Sequence, residues 1–162
     1  LTVSAWVAPY LALGHCIGRL GCFLVGDCYG YPCKYSWGVT FANGLPPTTY
    51  ESFKYNYPQV FINYVEPYYN SGSIISVHPT QIYESIIYLL IFLYLIKIRE
   101  NIKYSGQIIF EYLFLAGISR FIIEFYRLNT TYAFDLTGAQ IISLLMIITS
   151  TSFMYYYRNK IT

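Results

Sequence analysis

The stretch "LTGAQIISLLMIITSTSFMYYY", residues 136–157, contains no charged side chain. A helix needs about 20 apolar residues to cross roughly 30 Å of hydrocarbon, so this stretch is long enough to span a bilayer. Arg158 and Lys160 follow it closely, and basic residues at the end of a transmembrane helix favour the cytoplasmic side. The stretch therefore predicts a transmembrane helix whose carboxyl end lies at the cytoplasmic surface.

Three segments further upstream have a similar length and composition, at residues 3–24, 79–98 and 107–126. Of the 162 residues, 56% are hydrophobic and only 11% are charged, whereas a soluble domain carries about 25% charged residues. The sequence therefore predicts an all-α integral membrane protein, with one membrane domain over residues 1–162 and about four transmembrane helices.

The polar segment between the first two helices, residues 31–77, contains five prolines and many Tyr and Asn residues. It predicts an ordered but irregular loop, with a short strand at "SWGVTF", residues 36–41. A second basic cluster, Lys97, Arg99 and Lys103, lies between the second and third helices. Because two helices separate it from the basic end of the fourth, both clusters lie on the cytoplasmic side and the loop faces outward, to the periplasm.

Composition also bears on partners and processing. The net charge is only +2, and no basic stripe alternates with aromatic residues, so no nucleic-acid partner is expected. The chain begins with Leu1 rather than Met, and no basic segment precedes the first apolar run. We therefore expect no signal peptide, and a natural sequence that continues upstream of Leu1.

The third predicted helix carries charges inside its apolar run, in "SRFIIEFYR", residues 119–127 (the third motif). Arg120, Glu124 and Arg127 are spaced i, i+4, i+7 and share one face. Arg120 lies about 21 Å along the helix from Gly106, in the outer half of the bilayer. An arginine there costs at least about 2.5–3.5 kcal/mol and faces a partner or a polar cavity. Two interpretations of Arg120 stay open: an ion pair with Glu124 that merely satisfies both charges, or a ligand-binding site. Arg127 could also be an interfacial residue that extends its charged end to the headgroups.

The second predicted helix opens with "HPTQIYE", residues 78–84 (the second motif). Pro79 suits the first turn of a helix, where its missing N–H does no harm. The outer end of this helix therefore groups four polar side chains at the depth of the third motif's arginine: His78, Gln81, Tyr83 and Glu84. For His78, a simple capping or interfacial role stays open.

The end of the first predicted helix, "GRLGCFLVGDCYG" at residues 18–30 (the first motif), combines Arg19 with several glycines. His15 precedes Arg19 by four residues, so the two share a face. Glycines let the chain turn, and backbone N–H groups exposed beside a guanidinium bind anions. The three motifs converge on the outer headgroup zone, and we expect Arg19 and Arg120 to bind one lipid phosphate.

The cysteines Cys16, Cys22, Cys28 and Cys33 are spaced by six, six and five residues, which is not a redox or zinc pattern of the CxxC type. No metal or organic cofactor is expected. In an oxidising compartment Cys28 and Cys33 are candidates for a disulfide, whereas Cys16 and Cys22 are expected to be small buried packing residues. A nucleophilic thiol with His15 as its base stays open.

The three motifs, with Gln140 in "TGAQIIS", occur in an order that resembles the prolipoprotein diacylglyceryl transferase family. The resemblance implies a multi-pass enzyme of the bacterial cytoplasmic (inner) membrane. It would transfer the diacylglyceryl group of phosphatidylglycerol to the lipobox cysteine thiol in the signal peptide of a preprolipoprotein. The products would be a thioether and glycerol phosphate, in the first step of lipoprotein maturation.

The resemblance also assigns roles residue by residue. Arg19 matches the family's signature arginine, expected to bind the donor phosphate, and Arg120 matches its second arginine, with Glu124 as orienting partner. The implied catalytic residues are Arg19, Arg120, His78 and Glu124. The implied substrate-binding residues are Arg19, Gly30, Gln81, Tyr83, Glu84 and Gln140.

Several positions depart from the family's pattern. The commoner signature has Asn at the position of Cys22 and Glu at that of Asp27. A tyrosine four residues before the second arginine is Ala116 here, and Tyr112 is its nearest substitute. The family also has more helices upstream, with a histidine proposed as the base. Either this sequence is an incomplete version of such a protein, or His15 or His78 serves instead.

Two other functions stay open. One is a membrane thiol oxidoreductase that uses the outward-facing cysteines. The other is an inactive, lipid-binding relative that keeps the arginines and lacks the base.

Overall fold

The computed structural model describes residues 2–104, 106–129, 131–133 and 136–161. In chain order the elements are α1 (Thr2–Val25), α2 (Tyr50–Asn56), α3 (Pro58–Val60, continued by a π-helical turn over Phe61–Val65), α4 (Thr80–Ile98, continued by a 3₁₀ turn over Arg99–Asn101), α5 (Gln107–Glu124), β1 (Thr131–Ala133), β2 (Leu136–Thr137) and α6 (Gly138–Ile161). The two short strands pair in antiparallel orientation. Helices dominate these elements, so the predicted all-α fold class is confirmed.

Within the described residues, three helices are long and apolar enough to cross a membrane: Ala5–Val25, Thr80–Asn101 and Gly138–Asn159. This agrees with the predicted membrane protein. α5 has 18 residues and carries Glu111, Arg120 and Glu124. That α5 crosses the bilayer as a further span stays a prediction, as do the cytoplasmic side of the basic clusters and the outward side of the loop.

α6 begins two residues after its predicted start at residue 136. The backbone N–H of Gln140 donates to Thr137 Oγ1 at 3.3 Å, and the backbone N–H of Thr137 donates to Gln140 Oε1 at 2.9 Å. This reciprocal capping box satisfies amides that have no intrahelical partner. The helix therefore starts at Gly138, directly after the capping threonine.

The chain divides into two compact units. Unit 1 comprises Leu1–Gly18, Glu84–Phe125 and Asn129–Thr162. Its core joins α1, α4 and α5, and the α1 side of that core consists of small buried residues: Ala5, Ala8, Ala12 and Cys16. These residues are three or four positions apart, so they form one helix face and let the neighbouring helices approach closely.

α5 also packs closely against α6 within unit 1. A Cβ atom at Gly117 would lie 2.9 Å from Ile147 Cγ1 and 3.0 Å from the carbonyl oxygen of Ser143. The second contact is with backbone, which cannot move aside without shifting the helix. Gly117 therefore sets the separation of these two helices.

Unit 2 comprises Arg19–Tyr83 and Tyr126–Leu128. It has its own apolar core, built mainly from loop residues and the short helices α2 and α3: Tyr29, Phe53, Phe61, Val65, Ile75 and Val77. The predicted strand over residues 36–41 does not form. The backbone N–H of Gly38 donates to the carbonyl of Tyr35, so a turn occupies the first half of that stretch, and Val39 makes only an isolated bridge to Val77.

Candidate functional site

The first motif folds into a tight turn directly after α1. Gly26 has a φ of +74° and lies so close to Gly44 that a Cβ would be 2.9 Å from its Cα. Cys28 also has a positive φ, 56°, which is uncommon for a residue other than glycine. The second motif holds this turn from outside, because Thr80 Oγ1 donates to the Cys28 carbonyl at 2.9 Å and Gln81 Nε2 donates to the Asp27 carbonyl.

Gly30 is the point where all three motifs meet within unit 2. Its backbone N–H donates to the carbonyl of His78 at 2.9 Å, and it forms an isolated antiparallel bridge with Arg127. A Cβ atom at Gly30 would overlap the carbonyl oxygen of Tyr126 and would lie 2.8 Å from Thr80 Cγ2. Glycine is therefore required here by packing, and its predicted contact with substrate stays a prediction.

His78 lies in an aromatic setting. Its Nδ1 is 3.2 Å from the Tyr83 hydroxyl, and its ring contacts those of Tyr35, Tyr83 and Tyr126, with centroids 5.7–6.4 Å apart. Burial lowers the pKa of His78, because a low-dielectric setting disfavours the charged imidazolium. The ring is therefore neutral near pH 7, which is the form that accepts a proton.

In unit 1, Arg120 on α5 pairs with Glu84 on α4. Arg120 Nη1 lies 3.3 Å from each carboxylate oxygen, and the side chain of Glu84 is 1% exposed against 28% for Arg120. The expected pair of Arg120 with Glu124 is wrong. Residues four positions apart on one helix lie close together, which is why the sequence favours Glu124. The packing of α4 beside α5, however, places the Glu84 carboxylate next to the guanidinium, and this carboxylate is fully buried and needs a cation.

Glu124 has a different partner. It is buried, and its Oε1 accepts a hydrogen bond from Asn129 Nδ2 at 2.6 Å. Its second oxygen, Oε2, is buried and has no hydrogen-bond partner among the described residues. A buried acceptor without a hydrogen bond is destabilising, so Glu124 Oε2 is available to a donor that the described residues do not provide.

His15 and Tyr112 form a second histidine–tyrosine contact, in unit 1. The Tyr112 hydroxyl lies 2.9 Å from His15 Nδ1, and the His15 ring also packs on Tyr88, with centroids 4.9 Å apart. Neither contact is predicted by the sequence, since 97 positions separate His15 from Tyr112. Helix periodicity does not identify the pair either, because Tyr112 is buried in the core whereas His15 is exposed.

Comparison with known proteins adds the decisive observation. The sequence profile described as prolipoprotein diacylglyceryl transferase matches residues 1–156, nearly the entire chain. The chain belongs to the prolipoprotein diacylglyceryl transferase family. This match confirms the family that the three motifs predict.

Individual relatives carry the same name, phosphatidylglycerol–prolipoprotein diacylglyceryl transferase. The protein of Oceanobacillus iheyensis is 33% identical over 99% of this chain and 52% of its own length. That of Finegoldia magna is 30% identical over 94% of this chain and 50% of its own length. That of Clostridium tetani is 35% identical over 75% of this chain and 39% of its own length. The chain thus spans about half the length of the curated relatives it matches. No solved structure matches it.

Two further candidate residues of this family member have clear local settings. Gln140 is buried and uses its side-chain oxygen in the capping box of α6, so a structural role accompanies its predicted contact with substrate. Arg19 is half-buried near the end of α1 and lies in unit 2. That Arg19 and Arg120 bind the same headgroup stays a prediction.

All four cysteines are free thiols. The disulfide between Cys28 and Cys33 is therefore not formed, with Cys28 exposed and Cys33 buried. Cys16 is buried, as expected, and its Sγ lies 3.2 Å from Ser85 Oγ. Cys22, however, is only half-buried, because it lies where α1 gives way to the turn rather than in the helical core.

Proposed function

We propose that the protein transfers the diacylglyceryl group of phosphatidylglycerol to the lipobox cysteine thiol of preprolipoproteins, in the bacterial cytoplasmic membrane. The arrangement of Arg120 carries the proposal. Within the part of the chain that the structure describes, Glu84 engages this guanidinium through Nη1, which leaves Nε and Nη2 for a second anion. Arginine binds phosphate through such paired N–H groups. Arg19 is proposed as a phosphate ligand on its match to the family's signature arginine.

The proposed reaction is one displacement at a glyceryl carbon of the lipid. The sulfur of the lipobox cysteine forms a C–S bond with that carbon while the C–O bond to phosphate breaks. The electron pair of the broken bond leaves with glycerol phosphate, whose growing negative charge Arg120 stabilises. The thiol proton goes to a base, because a thiol with a pKa of about 8.5 is mostly protonated at neutral pH.

His78 is the base that the site supports best. Its imidazole is neutral near pH 7 for the reason given above. In the tautomer whose Nδ1–H donates to the Tyr83 hydroxyl oxygen, Nε2 carries the lone pair that takes the substrate proton. His15 is the second candidate, held in the same way by Tyr112. Glu124 Oε2, which lacks a partner among the described residues, is proposed to accept a hydrogen bond from a lipid or peptide donor.

Lipid transfer by the full-length protein tests the proposal directly. Membranes containing labelled phosphatidylglycerol and a preprolipoprotein substrate are compared for wild type, Arg19→Ala, Arg120→Ala and Lys103→Ala. Loss of one charged donor from a transition-state site costs about 10²–10³-fold, so both arginine variants should lose transfer. Lys103→Ala is the control, because Lys103 is an exposed cation outside the motifs. Normal transfer by Arg120→Ala would refute its assignment as the phosphate ligand.

A variant with all four cysteines changed to Ser separates this function from thiol oxidoreductase activity. Transfer uses the thiol of the substrate, so it should persist in that variant. An oxidoreductase would lose its activity completely.

A further inference from the structure

We propose that Cys22, Asp27 and Cys28 form a binding site for a thiophilic divalent cation of the Zn²⁺ class. The two sulfurs and a carboxylate oxygen all lie within 4.8 Å of one another. Zn²⁺ binds thiolate at about 2.3 Å and carboxylate at about 2.0–2.2 Å, so two sulfurs on one tetrahedral ion are about 3.8 Å apart. The donors need to move by about 1 Å or less to enclose such an ion.

The backbone of the turn brings these donors together. Cys22 lies in the last turn of α1, which ends at Val25. The positive φ angles of Gly26 and Cys28 then reverse the chain, so that Cys28 returns to Cys22. A straight continuation of the helix would carry residue 28 about 9 Å along the axis from residue 22. The site therefore depends on the turn and not on the spacing alone.

The turn is held in place by partners outside it. Thr80 and Gln81 donate to the carbonyls of Cys28 and Asp27, and the backbone N–H of Leu45 donates to the carbonyl of Gly26 at 3.0 Å. Donors fixed in this way lose little freedom when they bind an ion, which favours binding. Cys28 is exposed, which gives a cation a route to the site from solvent.

A second observation points to a ligand at this place. Asp27 Oδ1 is shielded from solvent and has no hydrogen-bond partner among the described residues. A buried carboxylate oxygen without a donor is destabilising. A cation bound by the Asp27 carboxylate would compensate its negative charge and would replace the proton of the neighbouring thiol.

The chemistry of the donors selects the cation. Two thiolates and one carboxylate are soft or borderline ligands that favour Zn²⁺ or Co²⁺ over Mg²⁺ and Ca²⁺. Binding releases one proton from each thiol, so occupancy rises with pH as the thiols lose their protons. Three protein donors leave a fourth position of a tetrahedral ion for water or another ligand. Sequence reasoning missed the site because it considered cysteine spacing only and did not count Asp27.

Metal content of the purified full-length protein tests the site. The affinity tag is removed, the thiols are reduced, and the protein is equilibrated with Zn²⁺ and then dialysed. We expect one zinc per chain and, with Co²⁺, the absorption band of thiolate-to-cobalt charge transfer. Cys22→Ser and Cys28→Ser should each lose the metal and the band, and Asp27→Asn should bind it more weakly. Cys33→Ser is the matched control and should keep both.

Three results would overturn the proposal. One is a reduced wild-type protein that retains no metal and shows no charge-transfer band, a test that does not depend on the folding of any variant. Another is retention of wild-type metal content by Cys22→Ser and Cys28→Ser. The third is a Cys22–Cys28 disulfide found by mass spectrometry in a protein that binds no metal once reduced, since the pair would then be a redox couple.

Discussion

Arg120 on α5 and Glu84 on α4 form an ion pair in which one guanidinium nitrogen lies 3.3 Å from both carboxylate oxygens. The pair joins two of the family's motifs inside unit 1. It gives the buried carboxylate its cation and, at the same time, orients the guanidinium that we propose to bind phosphate. Stability and function are therefore coupled at this pair.

Removing Arg120 should destabilise the protein more than neutralising Glu84 does. Arg120→Ala leaves a carboxylate that is 1% exposed without a cation, and loss of one member of a buried pair costs about 3–5 kcal/mol. Glu84→Gln leaves a cation whose side chain is 28% exposed and therefore not fully desolvated. Thermal unfolding in detergent measures both variants. A Glu84→Gln/Arg120→Ala double variant should regain part of the loss, and strict additivity of the two changes would contradict the pair.

Substitution of Gly30 should impair folding, whereas the neighbouring helix glycines should tolerate it. Gly30→Ala places a methyl group against the Tyr126 carbonyl, but a Cβ at Gly21 or Gly18 meets no atom of the described residues within 4 Å. Gly21→Ala is therefore the matched control and should gain about 0.5–1 kcal/mol from helix propensity. Yield of monodisperse protein and thermal unfolding report the difference. Equal behaviour of the two variants would contradict the packing described for Gly30.

The pH dependence of lipid transfer should identify the base. Since burial lowers the pKa of His78 below its ordinary 6.5, the imidazole stays neutral until the pH falls below that value. Transfer should therefore be constant above pH 6.5 and decline as the pH falls through the lowered pKa. General-base catalysis contributes about 10²–10⁴-fold, so His78→Gln should lose that factor together with the acidic decline. If His15→Gln does so instead, His15 is the base.

Variants of Gln140 and Thr137 can distinguish a role in capping α6 from a role in substrate binding. Each contributes one half of the capping box, so Gln140→Ala and Thr137→Ala should both lower the free energy of unfolding, by about 0.5–2 kcal/mol. If Gln140 also binds substrate, only Gln140→Ala should lower the rate of transfer per folded molecule. Rates normalised to folded protein provide the measurement. Equal rates for the two variants would limit Gln140 to capping.

The positions of the long helices were predictable because local composition decides them. In a lipid bilayer, an uncharged run as long as residues 136–157 can satisfy its backbone polar groups within the segment itself only as a helix. The family was predictable for a similar reason, since the motifs that carry it are contiguous in the chain. The boundary at Gly138 was missed, because a two-residue strand and a capping box compete with the helix there.

Local sequence alone is therefore enough to define the set of helices, the positions of the charges along them and the family. Which groups face each other follows only from the folded chain: Glu84 instead of Glu124 beside Arg120, Tyr112 beside His15, and Cys28 beside Cys22. The physical reason is that a charge or a thiol has several chemically equivalent partners along the chain. The packing of helices and the reversal of a turn choose among these partners, and both depend on contacts between residues distant in sequence.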